Sequence, residues 1–352
     1  PKQLGVNVAD HNFDIVILGG GSGGYAAALR SAQLGKSVAL IEKDKLGGTC
    51  LHVGCIPTKA MLHAAEVADN AREAHECGIN ATFNGVDMDR VNAFREDIIA
   101  KKFKGLGGLI KARGITVIEG EGRLVSPNTV AVGADNIVGK NIVLATGSYS
   151  RSLPGLEIGG RVITSEHALQ MNYVPNKVAI LGGGVIGVEF ASIWRSFGTE
   201  VTIIEGLPSL VPNEDASVSK ALERAFRKRG IEFKTGVRFS GVEQHENGVV
   251  VSLESGERLE AELLLVAVGR GPNTAGLGYE ENGINMDRGF VLTNDRLETS
   301  VAGTYAAGDI VPGLQLAHRG FQQGIFIAEE IAGLKPAVID ENGIPKVTYC
   351  EP

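Results

Sequence analysis

Two cysteines separated by four residues carry the most distinctive chemistry in the sequence. Cys50 and Cys55 lie in the segment GGTCLHVGCIPTK. Because Pro57 suits the first turn of a helix predicted over about residues 57–76, Cys55 is expected near a helix N-terminus with Lys59 one turn on. Both features favour a thiolate over a thiol. The pair is therefore predicted to be a redox-active dithiol.

From the residues alone, three other interpretations of this pair remain open. A zinc site usually needs four ligands, and the pair supplies two, with His52 nearby but no second cluster; no metal site is predicted. A structural disulfide belongs to oxidising compartments, and four cysteines are too few for a secreted disulfide scaffold. The two could also be unrelated buried residues. Of the other cysteines, Cys77 is predicted to be a small buried hydrophobe late in an amphipathic helix, and Cys350 receives no role.

A strand–helix–strand pattern occurs twice, at an offset of 163 residues. In each copy an apolar strand (FDIVIL, then KVAIL) enters a G-x-G-x-x-G turn, followed by a helix candidate, a second strand and a glutamate. The equivalent residues are Gly19, Gly21, Gly24 and Glu42 in the first copy and Gly182, Gly184, Gly187 and Glu205 in the second. The predicted fold class is α/β, with two Rossmann-like three-layer domains that each bind one dinucleotide.

Each copy has the chemistry of a dinucleotide site. The first glycine permits a tight turn, the second lets the backbone approach a pyrophosphate, and the third lets helix and strand pack closely. The helix N-terminus offers free N–H groups and partial positive charge to the phosphates. The glutamate accepts hydrogen bonds from a ribose diol and repels a 2′-phosphate. No Arg or Lys follows closely after Glu205, which favours NAD over NADP at the second site.

Length and charge limit the other functions. The 352 residues are enough for about two or three domains. A net charge of −7 favours neither nucleic acid nor an anionic membrane as a partner. No apolar run approaches the roughly 18–20 residues that span a bilayer, and the polar residues 1–12 lack the apolar core of a signal peptide. A cytoplasmic or organelle-matrix location is the default expectation.

The redox segment resembles that of the pyridine nucleotide–disulfide oxidoreductases, a family that includes dihydrolipoamide dehydrogenase, glutathione reductase and mercuric reductase. Other segments agree with this resemblance, namely ATGS at 145–148, VGR at 268–270 with PN at 272–273, AGD at 307–309 and LAH at 316–318. The resemblance runs from about residue 13 to the end and is nearest to the dihydrolipoamide dehydrogenases. His52 and the sequence RGFQQ at 319–323 depart from the commonest family pattern, which bears on the subgroup rather than on the chemistry.

The resemblance implies FAD and NAD as cofactors, with FAD in the first copy and NAD in the second. The implied FAD contacts are Gly19, Gly21 and Gly24 (pyrophosphate), Glu42 (ribose), Gly122 (adenine), Thr146 and Gly147, Asp309 (ribityl–pyrophosphate region) and Ala317 (flavin pyrimidine edge). The implied NAD contacts are Gly182, Gly184 and Gly187 (pyrophosphate), Glu205 (ribose), and Val237 and Gly269 (adenosine and nicotinamide path). Lys59 is implied to lie near flavin N5 and to pair with Glu189.

The same resemblance implies an enzyme of the dihydrolipoyl dehydrogenase type. A dihydrolipoamide thiolate would attack the Cys50–Cys55 disulfide at Cys50, and Cys55 would pass two electrons through FAD to NAD+. The implied catalytic residues are Cys50, Cys55, Lys59 and Glu189. The implied partners are dihydrolipoamide on the lipoyl domain of the acyltransferase component of a 2-oxo acid dehydrogenase complex, and a second copy of the chain in a homodimer.

The family's C-terminal dimerisation domain, which carries a His–Glu acid–base pair, has no counterpart in the sequence. None of the seven histidines matches that motif. Because loss of a general acid–base costs about 10²–10⁴-fold, a chain of these 352 residues is expected to bind FAD and to turn over lipoamide poorly. The alternatives are a mercuric- or glutathione-reductase-type enzyme, or an FAD- and NADH-binding fragment with only diaphorase activity.

The order of the motifs predicts the domain organisation. Residues 1–150 begin the FAD-binding domain, and residues 151–275 form the NAD-binding domain. Residues 276–346 return to complete the FAD-binding domain. Residues 347–352 then begin the dimerisation domain.

Overall fold

A computed structural model describes residues 12–351, so most of the polar segment 1–12 and Pro352 lie outside the described residues. The strands are β1 (Asn12–Leu18), β2 (Val38–Glu42), β3 (Thr116–Glu119), β4 (Gly122–Ser126), β5 (Thr129–Val132), β6 (Asp135–Leu144), β7 (Ser148–Ser150), β8 (Val162–Ile163), β9 (Lys177–Leu181), β10 (Glu200–Glu205), β11 (Glu232–Thr235), β12 (Phe239–His245), β13 (Gly248–Leu253), β14 (Arg258–Ala261), β15 (Leu263–Val266), β16 (Arg270–Pro272), β17 (Met286–Asp287), β18 (Phe290–Val291) and β19 (Thr304–Ala306). The α-helices are α1 (Ser22–Gln33), α2 (Gly48–His52), α3 (Cys55–Glu73), α4 (Met88–Ala112), α5 (Ser165–Ala168), α6 (Val185–Phe197), α7 (Ala216–Lys228) and α8 (Ala317–Ile331).

The first of two compact units contains the described residues up to Cys50, with Lys102–Tyr149 and Gly271–Pro345. Its sheet has the strand order β3-β2-β1-β6-β5-β4, and β19 pairs with the last residues of β6. Strands β3, β2, β1, β6 and β19 are parallel, whereas β4 and β5 are antiparallel. Helices α1 and α8 pack against each other in this unit.

Strand β1 shows why the first sheet is covered on both faces. Successive side chains of a strand point to opposite faces, and Ile15 and Ile17 enter one apolar core while Val16 and Leu18 enter another. All four are buried. A continuous apolar run of this kind is typical of parallel strands with a layer on each side.

The second unit contains Leu51–Lys101, Ser150–Arg270 and the described residues from Lys346. Its sheet has the order β11-β10-β9-β15-β8, and all of its strands are parallel. A separate antiparallel sheet has the order β12-β13-β14. Helices α3 and α6 pack against each other, with Met61, Ala65, Phe190 and Trp194 in one core.

The elements of the two predicted strand–turn–helix–strand copies are present, and the α/β fold class is confirmed. The prediction for Cys77 was wrong: this cysteine is exposed, because α3 ends at Glu73 and Cys77 closes the short 3-10 turn Ala74–Cys77. The domain limits stay a prediction. The compact units differ from those limits over residues 51–101, which join the second unit because α3 packs on α6. Among the described residues, no helix has both the length and the apolar character needed to cross a membrane.

Candidate active site

The two glycine turns have the same construction. Gly19 and Gly182 have φ values of +106° and +112°, which side-chain-bearing residues rarely adopt. A Cβ on Gly24 would lie 1.8 Å from the carbonyl oxygen of Gly19, and a Cβ on Gly187 would lie 1.9 Å from that of Gly182. The fold itself therefore requires both glycines. The first must adopt a positive φ, and the third must leave room for the backbone of the turn to contact the helix.

The middle glycines, Gly21 and Gly184, have no such internal requirement. Their φ and ψ values (−73°, −172° and −76°, −174°) are open to any residue. A Cβ on Gly184 would meet nothing within 4 Å, and one on Gly21 would meet only the Cα of Gly48, at 4.0 Å. Each glycine caps the start of a helix of 12 or 13 residues. The open space at a helix N-terminus fits a dinucleotide pyrophosphate in both units.

Glu42 and Glu205 hold the two turns in the same way. Glu42 accepts the N–H of Gly20 at 2.7 Å on one carboxylate oxygen and that of Asp44 at 2.9 Å on the other. Glu205 accepts the N–H groups of Gly183 at 2.6 Å and Leu207 at 2.7 Å. Each oxygen keeps a second lone pair that a ribose hydroxyl can use. The sequence reasoning missed this bracing role, although the equal spacing from turn to glutamate in both copies was its signal.

If Glu205 binds the ribose as predicted, we expect Glu205→Ala to weaken NADH binding by about tenfold, the equivalent of about 1.4 kcal/mol, because the predicted charge-assisted hydrogen bond would be lost. The dissociation constant is measured by titration with NADH, and the FAD content should not change. Glu260→Ala removes an exposed glutamate of the same unit and serves as the control. Unchanged NADH affinity in Glu205→Ala would remove this residue from the site.

A cavity of about 590 Å³ lies beside the second turn, and its lining includes Gly182, Gly184, Glu205, Val237 and Gly269. The structure thus brings together five of the residues predicted to bind NAD. Gly187 is not one of the lining residues and lies in the first turn of α6.

A smaller cavity, of about 50 Å³, lies beside the first turn and is lined by Gly19, Glu42, Gly122 and Thr146. A Cβ on Gly122 would lie 2.5 Å from the Leu18 side chain. This glycine therefore lets β4 pass close to β1. Four residues predicted to bind FAD meet at this cavity.

Thr146, Gly147, Asp309 and Ala317, also predicted on the FAD side, lie in the first unit, whereas Lys59 belongs to the second. Thr146 donates its hydroxyl to the carbonyl of Asn273 at 2.7 Å, and Asn273 donates its N–H to the carbonyl of Gly147 at 2.8 Å. Asp309 accepts the Ser148 hydroxyl at 2.5 Å. Ala317 is the first residue of α8. Hydrogen bonds thus join the ATGS and PN segments, a link that the sequence reasoning did not foresee.

The two cysteines occupy different helices. Cys50 lies within α2 and is partly buried, whereas Cys55 is the first residue of α3 and is exposed. Lys59 lies one turn further along α3. A helix N-terminus and a neighbouring cation are the surroundings in which reactive cysteines are commonly found.

Lys59 and Glu189 form an ion pair between α3 and α6. The lysine Nζ lies 2.7 and 2.8 Å from the two carboxylate oxygens of Glu189. The Glu189 residue is 3% exposed. Burial raises the pKa of Glu189, while the charge and hydrogen bond of Lys59 and the N–H of Tyr349 oppose that rise. The buried carboxylate therefore depends on these donors to stay charged.

Because its folded-state pKa is raised, Glu189 contributes stability that is fully present below its unfolded pKa and is lost as pH rises through the folded pKa. Glu189→Gln cannot ionise. We therefore expect its urea midpoint, relative to wild type, to be higher at about pH 8 than at about pH 4. Glu260→Gln, at an exposed position, should follow wild type at both pH values. An equal difference at both values would contradict the raised pKa.

Two dinucleotide turns, each with its own cavity, and two nearby cysteines in the sequence, the second at the start of α3, are the features of a flavin- and nicotinamide-linked disulfide oxidoreductase. The chain belongs to the pyridine nucleotide-disulphide oxidoreductase family, whose model matches residues 13–324.

Known proteins similar to this chain agree with that family. Dihydrolipoyl dehydrogenase of Bacillus subtilis (strain 168) is 40% identical, over 97% of this chain and 76% of its own length. The crystal structure of LpdA from Mycobacterium tuberculosis superposes with a TM-score of 0.89 at 27% identity, covering 96% of this chain and 76% of that one. The flavoprotein disulfide reductase RclA of Escherichia coli, described as HOCl-induced and solved as a Cu(II) complex, gives a TM-score of 0.82 at 29% identity, with coverage of 91% and 71%.

These comparisons confirm four predictions: the family, the α/β dinucleotide-binding fold, FAD and NAD as cofactors, and an NAD-dependent flavoprotein oxidoreductase. The chain is an FAD-dependent disulfide oxidoreductase. The individual site residues stay predictions, since the comparisons name families and proteins rather than positions.

Proposed function

We propose that this enzyme oxidises dihydrolipoamide and reduces NAD+ through a redox-active disulfide between Cys50 and Cys55. The observation that carries the proposal is the position of Cys55 at the first residue of α3, with Lys59 one turn on. The 40% identity with a dihydrolipoyl dehydrogenase over 97% of the chain supports the choice of substrate. The carboxylate of Glu205 supports NAD rather than NADP.

The thiol chemistry takes place in two exchanges. A dihydrolipoamide thiolate attacks Sγ of Cys50, so that a new S–S bond forms while the Cys50–Cys55 bond breaks and Cys55 leaves as a thiolate. The second substrate thiol then attacks the substrate sulfur of the mixed disulfide, and its proton passes to the departing Cys50 sulfur, which releases lipoamide and the Cys50 thiol. Two electrons have then moved from the substrate to the cysteine pair. FAD, when bound, supplies the transfer of these electrons to NAD+, which restores the disulfide.

In this proposal the charged residues of the second unit act on the leaving thiolate. The α3 N-terminus and the ammonium of Lys59 stabilise negative charge on Cys55. Glu189 holds that ammonium through two hydrogen bonds, of 2.7 and 2.8 Å. Lys59 and Glu189 therefore keep Cys55 a good leaving group and a ready electron donor.

The cofactor-binding roles are proposals at the same level. The residues that would hold FAD are Gly19, Gly21, Gly24, Glu42, Gly122, Thr146, Gly147, Asp309 and Ala317, with Lys59 implied beside the flavin by family resemblance. The residues that would hold NAD are Gly182, Gly184, Gly187, Glu205, Val237 and Gly269. The proposed partners are the lipoyl domain of an acyltransferase component and a second copy of the chain.

The proposal is tested by comparing kcat/KM for three substrate pairs on the purified FAD protein: dihydrolipoamide with NAD+, glutathione disulfide with NADPH, and Hg(II) with NADPH. We expect the first pair to give the highest value, and NAD+ to exceed NADP+ by at least about tenfold. A higher value for either alternative pair would contradict the proposal. NADH–quinone turnover without any dihydrolipoamide oxidation would leave the chain with diaphorase activity only.

A further inference from the structure

We propose that Tyr349 is a positioning residue for the Lys59–Glu189 pair, and through that pair for the thiolate of Cys55. The inference deepens the proposed function and rests on it, because the proposed function gives Cys55 its role.

Tyr349 contacts both members of the ion pair, by two different groups. Its backbone N–H donates to a carboxylate oxygen of Glu189 at 3.1 Å. Its ring lies over Lys59, with the Nζ 4.8 Å from the ring centroid, inside the roughly 6 Å reach of a cation–π interaction. Because Tyr349 contacts both charged side chains, replacing it changes the contacts that position the ion pair and leaves both charges in place.

Hydrogen bonds on both sides hold the segment around Tyr349 against the rest of the second unit. Glu351 donates its N–H to the Ser192 hydroxyl of α6 at 3.1 Å and accepts from Arg229 at 2.8 Å. The side-chain ammonium of Lys346 donates to the carbonyl of Asn213 at 3.1 Å. The Cys350 side chain packs against the apolar core that contains α3 and α6. The Tyr349 ring is thus presented by an anchored segment rather than by a loose one.

The ring limits where the Lys59 ammonium can lie. The lysine side chain is 34% exposed, so without a restraint its long, flexible stem can place the ammonium in several positions. The carboxylate of Glu189 attracts the ammonium, and the electron-rich ring face of Tyr349 restricts it further. In this proposal the restraint keeps the Lys59 charge close to the first turn of α3, the turn that begins at Cys55.

Cys350 does not compete with Cys55 as a nucleophile in this arrangement. Burial, followed by the negative charge of Glu189, raises the pKa of the Cys350 thiol to about 11. At neutral pH this sulfur stays a thiol, and the side chain packs as an apolar group against the core of the second unit. The reactivity that Tyr349 adjusts is that of Cys55.

The test is the rate at which iodoacetamide alkylates Cys55 in the dithiol-reduced FAD protein at neutral pH, followed by mass spectrometry of the Cys55 peptide. We expect Tyr349→Leu to slow this rate about two- to fourfold, the loss that corresponds to an exposed cation–π interaction. Tyr349→Phe keeps the ring and should restore the wild-type rate. The long-wavelength thiolate–flavin band of the reduced protein should fall in Tyr349→Leu alone.

Two controls separate positioning from general damage. Tyr173, a half-exposed tyrosine of the same unit with Glu262 and Arg161 as charged neighbours, is replaced by leucine and should leave Cys55 unaffected. The exposed Cys77 should react equally fast in every variant.

A wild-type rate in Tyr349→Leu, or an equal loss in Tyr349→Phe or Tyr173→Leu, would overturn the inference. Failure of the wild-type protein to oxidise dihydrolipoamide would instead contradict the proposed function, which is measured separately.

Discussion

Replacing Cys55 with serine is expected to lower the rate of dihydrolipoamide oxidation by NAD+ by at least about 10³-fold, the loss typical when one member of a catalytic unit is removed. Serine cannot form a disulfide with Cys50, so the substrate loses its electron acceptor. The FAD content should not change, because Cys55 lies outside the first glycine turn and its cavity. NADH–quinone turnover should persist, since it needs the two dinucleotide sites and not the dithiol.

Cysteine variants elsewhere decide whether this loss is specific. Cys50→Ser should be as inactive as Cys55→Ser, because each removes one half of the proposed disulfide. Cys77→Ser alters an exposed cysteine in the turn Ala74–Cys77 and should retain full activity. Substantial dihydrolipoamide oxidation in either Cys50→Ser or Cys55→Ser would rule out the disulfide relay.

The middle glycines of the two turns should give the second-largest effects, and each should affect one cofactor only. Gly184→Ala places a methyl group in space that the protein leaves open, where the NAD pyrophosphate is proposed to lie. We expect a folded, FAD-containing protein whose NADH dissociation constant rises about 10- to 100-fold, from the 1–3 kcal/mol that overpacking costs. Gly21→Ala should lose FAD by the same mechanism.

Two comparisons isolate the cofactor as the cause. Gly107→Ala adds a methyl group on α4, where a Cβ also meets nothing within 4 Å, and both cofactors should bind normally. Gly187→Ala would place a Cβ 1.9 Å from a backbone oxygen, and the protein should fold poorly. Normal NADH binding by Gly184→Ala, measured by titration, would show that the pyrophosphate does not approach this glycine.

The sequence made the glycine turns predictable because their requirements are local. Gly19 and Gly182 must adopt a positive φ. The strand before each turn is apolar along its whole length because its sheet has a layer packed on each face. The second copy repeated the first at a constant offset, so each supported the interpretation of the other. The position of Cys55 at a helix start was predictable in the same way, from Pro57 two residues later.

The features that the sequence left hidden depend on contacts between distant segments. Residues 51–101 pack in the second unit because α3 contacts α6, more than 100 residues later in the sequence. The contact of Tyr349 with Lys59 joins segments that are even further apart. Cys77 was misjudged because the last turn of the predicted helix is a short 3-10 turn at the surface. The hydrophobic periodicity of a sequence cannot reveal these arrangements, because it does not show which distant segments contact each other.

An anaerobic titration of the FAD protein with dihydrolipoamide, followed by one equivalent of NAD+, tests the central proposal most directly. We expect one equivalent of dithiol to produce a long-wavelength thiolate–flavin band, and NAD+ to abolish that band with formation of about one NADH per flavin. An oxidised flavin spectrum that does not respond to the dithiol would contradict the Cys50–Cys55 relay.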